Sequence, residues 1–476
     1  MKKKRLLFII LCICLVYVGQ VLADWPMPGH DPQRTSCSTE SIGVCDSPVW
    51  CVQFDPYIPS RACIITKEAE GGVPDTVYVT AADGIYALYP DTGAQRWYYP
   101  MSPPPGDVPT VVGTTLYVCG TDKTIHAVNC ANGNNIWQTD SAGAAFYVNP
   151  LVVNGSIYAG SLDGYFYCFD ASDGSLNWYY DVGERIYFSA AYETYGSYPN
   201  GLVFFGASDC RAYALRADTG AYVWDRALPG DNFDAFWPVV GQGRVMFVNC
   251  NSYPQSYDLR GLHREILLID VSTVDDGNGN YNLQHHIDWL NTYPDRNTFY
   301  VLDPLDGTPE EQSPFLYWGN PAGQRFPAAV ATDGKIWLDT PWQDDWFGKG
   351  RYGGWNLGSN LLKYTTSWES TDEPQAHAII GNYIYNNDGG DGCDKGNIWS
   401  ISSGSVVGSW TNATFRTPFG NYWGNWDDRQ YGNNFVDGGG STWAYVLGHH
   451  GHQPPPTPLN GKVYIHRSNA VICMQP

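Results

Sequence analysis

Four stretches of this 476-residue chain repeat one pattern. They read "VYVTAADGIYALYPDTGAQRW", "LYVCGTDKTIHAVNCANGNNIW", "IYAGSLDGYFYCFDASDGSLNW" and "LVFFGASDCRAYALRADTGAYVW". Their last residues, Trp97, Trp137, Trp178 and Trp224, recur after 40, 41 and 46 residues, and Gly93, Gly133, Gly174 and Gly220 each stand four residues earlier. Each copy reads as strand, turn, strand, turn, strand. Tyr78-Val79, Tyr117-Val118, Tyr158-Ala159 and Phe204-Phe205 supply the aromatic and β-branched residues that suit a pleated, half-buried surface. "DTG", "ANG" and "SDG" close hairpins, because glycine accepts the positive φ such turns require. A period near 40 with four short strands per unit is the signature of propeller blades, and the strand composition excludes a helical solenoid.

The expected fold is therefore all-β: a single eight-bladed β-propeller of four-stranded blades, with seven blades as the alternative count. Repeat units centred near Ala87, Ala127, Cys168, Ala214, Val301, Leu362, Ser400 and Val471 give the eight. Copies after Trp224 are degenerate. "FYVLDPLDGTPEEQ" keeps the turn glycine, Gly307, but has no Trp four residues on. Val301 stands 87 residues beyond Ala214, which fits two periods or one blade with an insertion. Trp368 and Trp410 recover a spacing of 42. The chain ends in "NGKVYIHRSNAVICMQP", two strands without an outgoing third. A circular array needs its ends tied, or its last blade exposes an edge. "SPVWCVQF" (Ser47 to Phe54) is the expected closing strand, with Trp50 as its docking Trp, and "DWPMPGHDPQRTSCS" (Asp24 to Ser38) is the lead-in that crosses the propeller first.

The pattern Tyr-Val, Asp-Gly, Tyr-Ala-Leu, Asp-x-Gly-x-x-x-Trp resembles the PQQ-like propeller repeat. That repeat belongs to quinoprotein dehydrogenases and to many exported propellers that bind no quinone. "DWPMPGHDPQRTS" is similar to the N-terminal segment of exported members, and the likeness is specific from about Val77 to Trp224. For a quinone user the resemblance implies an adjacent Cys-Cys pair bonded over an axial quinone, acidic and amide ligands for Ca²⁺, and an Asp base. No Cys-Cys dipeptide occurs here, so the chain reads as a non-quinone member.

Lys2, Lys3, Lys4 and Arg5 precede the apolar run Leu6 to Val18, and Val21-Leu22-Ala23 ends in a small residue. This reads as a signal peptide over residues 1–23, cleaved before Asp24, with the propeller over 24–476. The run is shorter than a membrane span needs. The expected location is secreted or periplasmic. Net charge is −21, and loss of the four leader cations makes it −25, which repels nucleic acid and anionic membranes. Thirteen cysteines include Cys12 and Cys14 in the leader. In an oxidising compartment the closing blade is expected to bring Cys51 near Cys473, and Cys37 with Cys45 is a second candidate pair.

Chemistry-bearing residues concentrate after Trp224. "LGHHGH" sets His449, His450 and His452 within four residues, a candidate divalent-metal site, although the flanking Gly and Pro residues suit a solvated loop equally. Asp276, Asn278 and Asn280 alternate as Ca²⁺-loop ligands do, yet Tyr281 and Ile287 stand where Gly and Glu are expected. "GNYWGNWDDRQYGNN" gathers Tyr422, Trp423, Trp426 and Arg429 as ligand-binding candidates, and Asp427 and Asp428 as an acid–base pair. No nucleophile elbow, phosphate loop, HExxH motif or dinucleotide fingerprint is present. The function expected is a binding scaffold that offers its loop face to a protein or glycan partner. The rival is a polysaccharide lyase or hydrolase using Asp427 and Asp428; a PQQ-dependent dehydrogenase ranks third.

Overall fold

The computed structural model describes residues 24–56, 58, 63–230, 232–233, 236–248, 280–282, 291, 299–312, 327–342, 349–358, 361–364, 369–370, 376–387, 395–411, 455–467 and 470–476. Eight antiparallel sheets follow one another around a ring. Blade one consists of Ile65–Lys67, Thr76–Ala81, Gly84–Leu88 and Gln95–Pro100, from the axis outward. Blade two runs from Thr110–Val112 to Asn135–Gln138, blade three from Leu151–Val153 to Leu176–Asp181, and blade four from Ala191–Tyr195 to Tyr222–Ala227. Blade five is one blade with a long insertion, because Arg244–Val248 pairs directly with Phe299–Leu302. Blade seven runs from His377–Ile380 to Val406–Thr411.

Blade six departs from the sequence reading. Its third strand is Lys349–Trp355, and Leu362 sits one strand further out, in Leu361–Tyr364. The longer chain between Ile336–Trp342 and Leu361–Tyr364 displaces the repeat by one strand. Blade eight closes as expected: Ser47–Gln53 pairs antiparallel with Ala470–Gln475, with Trp50 opposite Cys473 and Cys51 opposite Ile472. Side chains alternate across a strand. Cys51 and Cys473 therefore project from opposite faces, and both are free, as are Cys37 and Cys45.

The repeat Trp residues staple the ring. The Trp97 ring lies against Gly133, Trp137 against Gly174, Trp178 against Gly220, Trp224 against Gly307, and Trp50 against Gly93. A Cβ at Gly133 would come within 2.9 Å of the Trp97 ring, and its φ is +73°, so the site excludes other residues twice over. Indole N–H groups donate to carbonyls of the next blade: Trp97 to Cys130 at 2.8 Å, Trp224 to Pro304 at 2.8 Å, and Trp50 to Pro90 at 2.9 Å. In the blades that carry these Trp residues an aromatic ring from the second strand packs on the indole: Tyr78 on Trp97 at 5.7 Å, Tyr464 on Trp50 at 5.8 Å. Such rings are big apolar surfaces, each stabilising by several kcal/mol at ~25 cal/mol per Å².

Blade seven has a Trp, but not at the docking position. Its turn glycine is Gly404, so the docking position is Gly408, opposite Ile398 as Trp97 is opposite Ala87. Trp410 stands two residues later and packs inside its own blade against Gly396. The docking turn of the next blade does not exist, because blade eight is split there between Gln475 and Ser47. The Val44 side chain fills the space at Gly408 instead.

Candidate functional site

Residues 24–40 trace an arc around the propeller axis. The innermost strand of almost every blade donates a backbone N–H to it in turn: Thr66 to the Trp25 carbonyl at 3.0 Å, Val111 to Pro26 at 2.8 Å, Tyr192 to Pro32 at 2.8 Å, Val240 to Gln33 at 2.9 Å, Val330 to Thr35 at 2.8 Å, and Ile379 to Ser36 at 3.0 Å. Cys37–Ser38 then pairs parallel with blade seven, and Glu40 accepts from the Gly461 N–H of blade eight at 2.5 Å. Blade three joins through Arg34, which is 0% exposed. Its guanidinium donates to the carbonyl of Ala190 at 2.9 Å, to Asn149 Oδ1 at 2.6 Å and to the Pro28 carbonyl, and it lies over the Trp237 ring at 5.7 Å. Burial pulls its pKa down to about 10, against the attraction of Asp31 and Asp107, so it stays charged at neutral pH. Asp24 anchors the start of the arc through Lys67 at 2.8 Å. Proline and glycine make this segment irregular, so its backbone carbonyls remain available to the ring.

The two ends of the ring differ. At one end lie the turns between first and second strands and between third and fourth strands; the longest of these is 68–75. At the other lie the second-to-third connections and the blade-to-blade connections. There fall 249–298, 313–328, 343–348, 365–376, 388–394 and 412–456. All the long insertions thus leave from one face. Asn280–Asn282, from the first of them, pairs with the outer strand of blade six.

On this same face a carboxylate recurs beneath each of the first blades. Asp83 accepts from the Tyr86 hydroxyl, Asp122 bonds the His126 ring, and Asp163 accepts from the Tyr167 hydroxyl, each at 2.9 Å. His126 occupies the repeat position held elsewhere by Tyr86, Tyr167 and Tyr213, opposite the outer strand. It is 4% exposed and also contacts the Tyr99 hydroxyl at 2.8 Å and Gln138 at 2.9 Å. Burial lowers its pKa despite Asp122, and burial together with the Asp83 or Asp163 carboxylate raises the hydroxyls of Tyr86 and Tyr167. At neutral pH the two hydroxyls keep their protons and the imidazole is neutral, and these groups pin the turns. A pairwise alignment of the repeats, Tyr-Ala against His-Ala and Tyr-Cys, carries that signal in the sequence; nothing local marks Arg34.

Residues 81–261 match the family described as outer membrane protein assembly factor BamB. Over that stretch the chain resembles the PQQ-like β-propeller family, and its eight-bladed ring is the fold of such propellers. BamB of Yersinia pestis is 24% identical over 302 residues, 54% of this chain and 74% of that protein. Tetrathionate hydrolase of Acidithiobacillus ferrooxidans is 25% identical over 211 residues, 34% of this chain, and the match spans only 40% of the hydrolase. Among solved structures, quinohemoprotein alcohol dehydrogenase from Comamonas testosteroni superposes with a TM-score of 0.60 at 12% identity, over 95% of this chain and 80% of that one. A europium-containing methanol dehydrogenase gives 0.58 at 13%, over 82% and 85%. These two likenesses concern the fold.

As a PQQ-like propeller the chain can be tested against an axial quinone. The inner-strand N–H groups are given to residues 25–36, and the Arg34 donors are given to Pro28, Ala190 and Asn149. A quinone's carboxylates would need such donors, and here the chain's own backbone and side chains use them. The residues present do not fit the group at this level of the axis. Among the described residues, no three His, Cys, Asp or Glu side chains are grouped to hold a metal. Tyr422, Trp423, Trp426, Asp427, Asp428, Arg429, His449, His450 and His452 lie outside the described residues, as do Asp276, Asn278 and Trp368. No helix among the described residues is long and apolar enough to cross a membrane.

Proposed function

We propose that this PQQ-like propeller is an exported protein-binding scaffold that presents its insertion-bearing face to a partner. The observation that carries the reading is the asymmetry of the ring: short turns on one face, every long insertion on the other. Loops on a rigid frame are where binding residues collect. The similarity of residues 81–261 to an outer membrane protein assembly factor supports a protein partner over a glycan. The axial arc supports it too, since it leaves the centre of the ring to the chain itself. The leader-like start, Lys2 to Ala23, supports export to a periplasm or beyond.

The test is affinity capture of the tagged mature chain from the solubilised envelope of its own organism, followed by mass spectrometry. Recovery of defined envelope proteins, lost when 412–454 is replaced by a short Gly-Ser linker, is expected. Recovery of nothing, together with turnover of a glycan panel that stops in Asp427→Asn or Asp428→Asn, would replace this reading with the polysaccharide enzyme. Reduction of an artificial acceptor after addition of PQQ and Ca²⁺ would replace it with the dehydrogenase.

A further inference from the structure

Blade three carries an aromatic corner that its neighbours do not. Tyr165 and Tyr167 on the third strand and Tyr179 and Asp181 on the fourth point to one face, with Tyr165 opposite Asp181 and Tyr167 opposite Tyr179. The Tyr165 and Tyr179 rings meet edge to face at 5.5 Å, and Tyr165 and Tyr167 lie 6.0 Å apart. Tyr179 is 59% exposed, the most of any large apolar or aromatic side chain described. The neighbour that would cover them falls short. Blade two's outer strand, Asn135–Gln138, has four residues where blades one, three and four have six. It leaves regular pairing just before the level of Tyr165 and Asp181.

Blade four shows what the same corner holds when it is filled from within. At the register position of Tyr165 stands Arg211, and at that of Tyr179 stands Asp225. Arg211 is ion-paired to Asp225 and lies 3.7 Å from Asp209, while the Tyr222 hydroxyl donates to Asp225 at 2.8 Å. Blade three has its carboxylate two residues further on, Asp181 at the register position of Ala227, and supplies no cation. Among the described residues none pairs with Asp181. Across the seam, the Lys123 ammonium is turned to the Gly143 carbonyl at 3.3 Å.

We infer that this corner receives an arginine side chain from an extended, basic segment of a partner protein, so it rests on the scaffold reading above. A guanidinium over the Tyr179 face and bonded to Asp181 would make a cation–π contact and a forked ion pair together. The chain's net charge of −21 draws such a segment in.

The probe is a fluorescein-labelled (Arg-Thr)6 peptide, with (Glu-Thr)6 as its control, titrated against the mature chain by anisotropy in 50 and 300 mM NaCl. Binding of the arginine peptide alone is expected, weakened about fivefold or more by Tyr179→Ala and by Asp181→Asn. Asp173→Asn, an exposed carboxylate in the turn at the opposite end of the same blade, should change nothing. Thermal melts of each variant within 2 °C of the parent confirm that the blade is intact. Equal weakening by Asp173→Asn would reduce the effect to general charge attraction and overturn the inference. So would indifference to Tyr179→Ala, or a glycan panel that depends on Tyr179 but ignores Asp181 and salt. If envelope capture fails while the peptide binds through Tyr179, the scaffold reading falls and the corner stands; a captured partner indifferent to Tyr179 and Asp181 gives the reverse.

Discussion

Replacing Arg34 by Ala tests whether the axial arc holds the ring together. The guanidinium satisfies three acceptors, the carbonyls of Pro28 and Ala190 and the amide oxygen of Asn149, in a site from which water is excluded. Removing one partner of a buried bond costs ~1–3 kcal/mol for the group left behind, and loss of the contact with the Trp237 ring adds to this. Water entering the vacated space offsets part, so the expected net loss is about 4 kcal/mol. A chain of this size, at ~2 cal/mol/K per residue, unfolds with an entropy near 1 kcal/mol/K, so the midpoint should fall by about 4 °C. Differential scanning calorimetry at pH 7 reads this directly. Arg34→Lys keeps the charge but reaches fewer acceptors, and should lose about half as much. In a double-mutant cycle with Asn149→Ala the two losses should fall short of additive. An Arg34→Ala midpoint within 1 °C of the parent, or strict additivity with Asn149→Ala, would refute the idea that this side chain ties the arc to blades three and four.

Gly133→Ala places a methyl against the Trp97 ring at positive φ and should cost ~2–4 kcal/mol, whereas Gly113→Ala, also at positive φ but with open space around it, should cost ~1 kcal/mol; urea midpoints compare them. Burial lowers the His377 pKa to about 4, so the unfolded chain takes up the proton first and stability is lost as pH falls from about 6.5 towards 4. Burial raises Glu40 to about 7, so there the folded chain holds the proton more tightly and stability is lost as pH rises from about 4.5 to 7. The two slopes oppose each other; Glu40→Gln should steepen the loss on acidification and His377→Gln should reverse it, as read by melting midpoints between pH 4.5 and 6.5. Alkylation in denaturant without reductant should label Cys37, Cys45, Cys51 and Cys473 in full, because none is bridged.

The regular blades were readable because each is specified locally: a strand pair, a turn that needs glycine, and a Trp at fixed distance from it. The closing strand was readable for the same reason, since Trp50 precedes Trp97 by roughly one period. Two features were not. In blade six the repeat slipped by one strand, because period counting assumes turns of constant length and Lys349–Trp355 follows a longer connection. The Trp410 spacing misled for a different reason: a Trp at the right period is not a docking Trp unless the next blade offers a turn, and at Gly408 none exists. The lead-in was expected to cross the propeller, but nothing in "DWPMPGHDPQRTSCS" announces that its carbonyls would take one bond from blade after blade. That pattern arises from the ring's symmetry, which places inner-strand N–H groups at regular angles around the axis. The chemistry-bearing clusters around Trp423, Asp427 and His450 sit in long insertions with no periodicity to fix them.

The docking of the arc has a consequence in time. Residues 25–53 leave the ribosome ahead of every blade, yet their partners are spread over the whole chain: Trp25 needs Thr66, Ser36 needs Ile379, and Trp50 needs Cys473, more than four hundred residues away. The first four blades can stack on one another as they appear, each on its neighbour. The segment made first must wait for the segment made last, and loops that long close slowly. Until then Ser47–Gln53 is an unpaired strand edge carrying an unburied Trp. A chain stalled or cut before residue 470 therefore keeps seven near-complete blades and an open ring, and its hazard is pairing with the edge of another copy.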